Sequence, residues 1–264
     1  MLCKNPFVRG GKAFGCGQCL PCRFNRARIW THRIMLESYQ YKENAFVTLT
    51  YADNNQINLE KSHVQQFFKR LRKSIYPHRI RYFAVGEYGD KTGRPHYHIA
   101  LFGFPTCPRG QTRQPRKDQP MSCCESCNSM FELWGQGRIE LARLEPASAR
   151  YIAGYVTKKM TAPTDPRLEG RTPEFALMSR RPGIGATAIP EIASTLMENN
   201  YAEPDVPNIL MHGRAKLPLG RYLKRELRKQ MGRAPDCPPE TLKEIEAQMQ
   251  ALRTLAYSYA PPGS

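Results

Sequence analysis

At 264 residues the chain can bury a core in one domain with additions or in two small ones, and no stretch approaches the ~20 apolar residues of a membrane span. Forty Lys and Arg against 23 Asp and Glu give a net charge of +17, which points to a polyanionic partner, nucleic acid before an acidic membrane surface. With no apolar leader at the N-terminus, the nine cysteines are not read as a secreted disulfide framework; a cytoplasmic protein with metal-binding thiols is expected.

Along the chain, Cys16-x-x-Cys19-x-x-Cys22 packs three thiols into seven residues, and Cys3 supplies a fourth for a tetrahedral structural zinc site. A helix follows to Tyr41, with Ile29, Trp30, Ile34 and Met35 apolar and Arg23, Arg26 and Arg33 on a basic side. Ala45 to Tyr51 is a strand by its β-branched and aromatic content. Ser62 to Ile75 reads as a helix capped by Ser62, burying Val64, Phe67, Phe68, Leu71 and Ile75 and ended by Pro77. Ile80 to Glu87 is a second strand, Gly89 to Gly93 a hairpin-like loop, and His96 to Phe102 a third strand.

Residues 104–128, rich in Pro, Arg, Gln and Cys, read as an inserted loop. Within it Cys107, Cys123, Cys124 and Cys127 form a second candidate four-thiolate zinc set. Arg138 to Leu144 alternates as a fourth strand, and Ala147 to Met160 is a helix. Residues 161–201 are punctuated by Pro and Gly and give no clear element. Leu217 to Gln230 and Pro239 to Tyr257 look helical. Three stretches divide the chain: a Cys-rich basic segment (1–44), a core (45–160) and a basic extension (161–264). Basic clusters at Arg23–Arg28, Lys69–Lys73 and Arg214–Arg233 lack acidic balance and favour nucleic acid over merely solvated helix faces.

Two patterns carry chemistry. In Arg94-Pro-His-Tyr-His98 the histidines are two apart in a strand, so both imidazoles leave the same face as a pair of metal ligands. In Tyr151-Ile-Ala-Gly-Tyr155 the phenols are i and i+4, stacked on one helix face, with Lys158 and Lys159 continuing it a turn later.

Together with Cys16-Gly-Gln-Cys19, Phe46-Val-Thr-Leu-Thr-Tyr51, Arg81-Tyr-Phe-Ala-Val-Gly-Glu-Tyr-Gly89 and Met178-Ser-Arg-Arg-Pro-Gly-Ile-Gly185, these patterns resemble the two-tyrosine class of HUH endonucleases. The resemblance is strongest to the replication initiators of the Microviridae, single-stranded-DNA phages, and their gokushovirus branch. It spans roughly residues 16–185. It implies an α+β fold, with a ferredoxin-like or RRM-like antiparallel sheet carrying helices on one face, plus Cys-rich insertions and a helical C-terminal extension.

The chemistry it implies is nicking of DNA. One tyrosine attacks the scissile phosphate, giving a 5′-phosphotyrosine and a free 3′-hydroxyl for a host polymerase; the second serves when the circle is closed. Both tyrosines are expected to be catalytic, and which acts first stays open. A free phenol with a pKa of ~10 is a poor nucleophile, so Lys158 or Lys159 and a cation would steady the phenolate. Two imidazoles are too few for a hard ion, and Glu87, returned beside them by the hairpin, is the third ligand for Mg²⁺ or Mn²⁺, with Asp90 a lesser substitute. Arg94, Arg180 and Arg181 are candidates to hold DNA phosphate; equally, Arg94 caps a loop and Pro182-Gly-Ile-Gly185 is a turn. The expected partners are origin-bearing single-stranded DNA and host polymerase and helicase, in the host cytoplasm, with no membrane and no nucleotide cofactor. Two rivals remain: another HUH enzyme (plasmid initiator, relaxase or transposase) and a zinc-stabilised, non-catalytic nucleic-acid-binding protein.

Overall fold

Along Asn44–Thr50, buried and half-buried side chains alternate, because this strand lies inside a sheet covered on both faces. The computed structural model describes residues 3–9, 12–52, 56–113, 122–155, 163–201 and 205–240, with scattered positions from 243 to 254. The elements are β1 (Phe7–Arg9), β2 (Lys12–Phe14), α1 (Leu20–Ser38), β3 (Asn44–Thr50), α2 (Lys61–Ser74), β4 (Arg81–Tyr88), β5 (Pro95–Phe102) and α3 (Glu125–Trp134). After them come β6 (Ile139–Arg143), α4 (Pro146–Tyr155), β7 (Phe175–Met178), α5 (Ile189–Glu198), β8 (Ile209–His212), β9 (Ala215–Pro218) and α6 (Gly220–Gln230). They divide into two units, residues 1–188 and 189–264.

The first unit is α+β. Its five-stranded sheet has the order β6-β3-β5-β4-β7, every neighbouring pair antiparallel. The pleat sends alternate residues to opposite faces. Ala45, Val47, Leu49, Tyr97, Ile99 and Leu101 face one way and pack on α2 and α3 through Phe67, Phe68, Leu71, Met130 and Trp134. Each such fully buried large side chain is worth roughly 1.5–3 kcal/mol. Phe83, Val85, Ala100 and Phe102 face the other way, against Ile34 of α1 and Ala149, Ile152 and Ala153 of α4.

The sheet is therefore covered on both faces, not one as the sequence led us to expect. Three further differences have local causes. Helix α3 lies in and beyond the stretch read as an inserted loop, its start hidden by Cys, Ser and Asn; it ends on Gly135 in the left-handed conformation. Strand β7 joins the edge of β4 from a stretch that gave no clear element. It has four residues, all half-buried, so it shows no alternation. Ser62 lies inside α2, whose N-cap is Glu60 with no side-chain cap bond.

The segment Met178–Gly185 docks on α1. The Glu37 carboxylate, fully buried, pairs with Arg81 and accepts hydrogen bonds from the Gly185 amide at 2.6 Å and the Thr187 hydroxyl at 3.1 Å. Gly185 has φ +81°, and a Cβ there would sit 2.9 Å from the Arg33 carbonyl oxygen, so only glycine fits.

The second unit holds α5, the β8–β9 hairpin and α6. The stretch read as a helix from Leu217 begins instead with β9. Arg228 of α6 is buried and makes a two-pronged pair with Asp205, Nε to Oδ1 at 2.8 Å and a guanidinium nitrogen to Oδ2. Of the helix expected over 239–257, the described positions are helical and the rest fall outside the described residues.

Removing the Glu37 carboxylate strands the Arg81 guanidinium and two donors. Glu37→Ala is expected to lower unfolding stability by about 3 kcal/mol or more, read as a shift of the urea midpoint, while Glu37→Gln loses less because its amide oxygen still accepts.

Candidate active site

The register of the central strands assembles the site. Glu87 of β4 is the Cα partner of His96 in β5; His96 in turn pairs with Thr50 and His98 with Thr48 of β3. All lie on the α1/α4 face. Ligand atoms of Glu87, His96 and His98 lie within 4.8 Å of one another. The Glu87 Oε1 is 2.8 Å from His96 Nε2 and 3.1 Å from His98 Nε2. Glu87 is 2 % exposed, a buried carboxylate and not a solvated strand end.

The protons show what this cluster holds. His96 Nδ1 lies 3.0 Å from the Arg94 carbonyl oxygen, which can only accept, so Nδ1 carries a proton. His98 Nδ1 is 3.1 Å from the Thr48 hydroxyl. Burial pushes the His98 pKa below its ordinary value, against the opposing pull of Glu87, which favours the neutral ring. Neutral rings with Nδ1 protonated turn Nε2 lone pairs toward a carboxylate. Three lone-pair donors converge there, and a shared cation satisfies them. Hydrogen bonds to the far ring nitrogens are the usual way metal-ligating histidines are oriented.

Helix α4 lays both tyrosines over this cluster. Tyr151 Oη is 3.4 Å from His98 Nε2. The Tyr155 ring stacks on the His98 ring at 5.7 Å between centroids, and the two tyrosine rings meet edge to face at 4.8 Å. The phenols differ in setting. Tyr151 is 48 % exposed and lines a cleft of about 640 Å³ with Thr48, Thr50, Arg94, Arg138 and Glu140. Tyr155 is half-buried; burial, the hydrogen bond to Tyr151 and the Glu87 charge raise its pKa.

Arg94 also lines the cleft and donates to the Tyr51 carbonyl at 2.8 Å. Asp90 is exposed in the turn after β4 and is not in the ligand cluster. Arg180 and Arg181 follow β7, whose Met178 pairs with Phe83, so they sit toward the Arg81 end of β4, away from Glu87. Lys158 and Lys159 lie outside the described residues.

Sequence reasoning gave the Phe46–Tyr51 strand no chemical role, yet Thr48 holds His98 and the Phe46 ring stacks on His98 at 5.6 Å. The Thr48-Leu-Thr50 alternation hinted at a polar face; only the register with β5 says what it meets.

Both cysteine quartets are assembled. Ligand atoms of Cys3, Cys16, Cys19 and Cys22, and of Cys107, Cys123, Cys124 and Cys127, lie within 4.8 Å of one another in each set. Sulfur separations of 3.7 Å for Cys3–Cys19 and Cys107–Cys123 exclude disulfides, and all these thiols are free. Backbone amides of Cys22 and Lys4 hold the Cys19 thiol down at about 6, while burial pushes Cys22 up to about 12.

A buried histidine–carboxylate cluster roofed by paired tyrosines on an antiparallel sheet defines an α+β protein with a candidate metal site. Its sequence places it further. A family model for replication-associated proteins of the ORF2 type matches residues 44–160. Replication-associated protein VP4 of Bdellovibrio phage phiMH2K is 34 % identical over 165 residues, 58 % of this chain and 50 % of that protein. Replication-associated protein ORF2 of Spiroplasma virus 4 is 34 % identical over 182 residues, 64 % of this chain and 55 % of that protein. Replication-associated protein ORF4 of Chlamydia phage 1 is 29 % identical over 166 residues, 57 % and 39 % of the two chains. The chain thus spans about half the length of these relatives, or less. The resemblance to the Microviridae replication initiators is borne out. No solved structure gives a significant match. Among the described residues no helix is long and apolar enough to cross a membrane.

Removing the Thr48 hydroxyl is expected to loosen His98. In Thr48→Val, Mn²⁺ affinity measured by calorimetry should fall about 10- to 100-fold with the fold intact.

Proposed function

We propose that the chain is a rolling-circle replication initiator, a metal-dependent endonuclease and ligase of the HUH type acting on single-stranded origin DNA. The observation that carries this reading is the placement of Tyr151 and Tyr155 directly over His98, on the sheet face that also presents Glu87 and His96. A purely structural role gives no reason for two phenols to meet a lone-pair cluster at a cleft. The element order β3-α2-β4-β5-α3-β6 is the β-α-β-β-α-β pattern of ferredoxin-like folds and supports the HUH fold class.

His96, His98 and Glu87 would hold Mg²⁺ or Mn²⁺, which polarises the scissile phosphate as a Lewis acid when bound. Tyr151, exposed at the cleft, is the better placed first nucleophile. Its Oη attacks phosphorus and gives up its proton; the bond to the 3′-oxygen breaks, and that oxygen leaves as a hydroxyl. A 5′-phosphotyrosine conserves the phosphodiester, so rejoining needs no nucleotide cofactor. Tyr155, more buried, serves the second cleavage, after which the released 3′-hydroxyl attacks the first adduct and closes the circle. Arg94 at the cleft holds backbone phosphate, and Lys158 and Lys159 steady the phenolates. Arg180 and Arg181 would meet DNA at the opposite end of β4. The 3′-hydroxyl is extended by host polymerase with a host helicase, in the host cytoplasm.

Zinc is the proposed occupant of both thiol quartets. Zn–S bonds of ~2.3 Å give tetrahedron edges of about 3.8 Å; the sulfur separations of 3.7 Å for Cys3–Cys19 and 4.0 Å for Cys107–Cys124 suit that size.

The test is a denaturing gel of fluorescent single-stranded origin DNA incubated with protein and Mn²⁺. Label should travel with the wild-type protein and with Tyr155→Phe, and should be lost in Tyr151→Phe, in His96→Ala and without metal. Tyr155→Phe should still nick but fail to yield closed circles. Tight DNA binding with no adduct on any origin-bearing strand would replace this reading with that of a zinc-stabilised, non-catalytic binding protein.

A further inference from the structure

The β1–β2 ribbon is too short to bury a core of its own, and a lone two-stranded hairpin is marginal in water. It is clamped instead. Cys3 precedes it and Cys16 follows it; Cys19 caps α1 and Cys22 lies in the first turn of that helix. The Cys16 amide donates to Cys3 Sγ at 3.2 Å and the Cys19 amide to Cys16 Sγ at 3.3 Å. A Cβ on Gly15 would sit 3.0 Å from Cys22 Sγ, so the ribbon runs directly against the thiol quartet.

What this clamped ribbon displays is aromatic. Phe7 and Phe14 are Cα partners, so they share a face, and their rings stack at 5.6 Å with 25° between planes. A stacked pair in a core would be covered; these rings are 52 % and 41 % exposed, and Phe24 in the first turns of α1 is 49 % exposed. Arg9 and Lys12 pair in register two positions further along the ribbon. Seven Lys and Arg and no Asp or Glu precede Glu37. A zinc tetrathiolate carries a net charge of about −2, which leaves this segment strongly positive.

We propose that the Cys-clamped ribbon is a second DNA-binding site, a platform on which unpaired bases of single-stranded DNA stack against Phe7 and Phe14 while the cations of this segment hold the backbone. It shares no residue with the tyrosine cleft. Rigid exposed aromatics in a cationic setting are how sequence-tolerant single-strand binders work, because every base has a π face. An apolar protein partner, the competing occupant, has no use for a segment with seven cations and no acid. The site would hold displaced or template strand away from the cleft.

The test uses the full chain in EDTA, so that no cleavage is read and failure of the nickase reading leaves the outcome unaffected. Binding of fluorescent oligo-dT is followed by anisotropy across a salt series. Phe7→Leu/Phe14→Leu keeps the ribbon apolar; it should weaken oligo-dT binding about tenfold or more with an unchanged thermal melt, at every salt concentration. Phe14→Trp should bind at wild-type strength, and its added fluorescence should be quenched by oligo-dT. A hairpin duplex of equal length should be insensitive to the Leu pair. Unchanged oligo-dT affinity in the Leu pair, or no quenching in Phe14→Trp, overturns the proposal. So does loss of a self-associated form in the Leu pair with DNA binding intact, which would make the ribbon a contact between copies.

Discussion

Eight consecutive Cα pairs between β4 and β5, from Arg81–Phe102 to Tyr88–Pro95, set Glu87 opposite His96, and the corresponding run of pairs between β5 and β3 sets Thr48 opposite His98. A slip of one residue in either register would turn every one of these side chains to the other face. Such a slip is blocked by burial. Between Glu87, His96 and His98 and the far end of the sheet lie Phe83, Val85, Ala100 and Phe102, packed under α1 and α4. On the opposite face Tyr97, Ile99 and Leu101 pack under α2 and α3. The site geometry is thus a by-product of a core that tolerates only one pairing. Trp134 adds to this, reaching across from α3 to donate its indole N–H to the Thr50 carbonyl at 2.9 Å.

The two thiol quartets do for the periphery what the core does for the sheet. The second ties the start of α3 to the loop that carries Thr112. That buried threonine accepts from the Leu141 amide at 2.6 Å and meets Cys127 Sγ at 3.2 Å. β6 is an edge strand, and an edge left unpaired is a liability; here the loop held by the thiols satisfies part of it. The first quartet fixes a ribbon that would not stand alone. In both places a cluster of ligands replaces apolar area that a short segment cannot bury.

The elements legible in the sequence were those with strong periodicity. Helix α2 shows its Val64, Phe67, Phe68 and Leu71 stripe, and all four are buried. The alternations of β3 and β5 located the histidine pair, and the i, i+4 tyrosines were readable because helical spacing alone puts them on one face. Both quartets followed from thiol spacing. What stayed hidden depended on partners distant in sequence. Helix α3 starts among Cys, Ser and Asn and owes its place to Cys127, Met130 and Trp134 packing on the sheet. Strand β7 is defined only by its pairing with β4. The role of Thr48 needs the β3–β5 register, and the docking of Gly185 needs Glu37, 148 residues away.

The large positive charge is not spent in one way. Arg70 donates to the Leu133 and Trp134 carbonyls at the end of α3, Arg72 lies over the Tyr82 ring, Arg81 pairs with Glu37, and Arg228 pairs with Asp205. Each was part of a basic cluster or motif in the sequence, and each is committed within the fold. Pairing to a carboxylate cancels the charge locally; donation to a carbonyl or a ring leaves the charge in place. Arg70 and Arg72 therefore still add to the field that draws in a polyanion, though their geometry serves the protein. The segment before Glu37 differs in kind, since it contains no acid with which to pair. Long-range attraction for nucleic acid is thus a property of the whole chain, whereas strand placement falls to the few cations beside exposed rings and to Arg94 at the cleft.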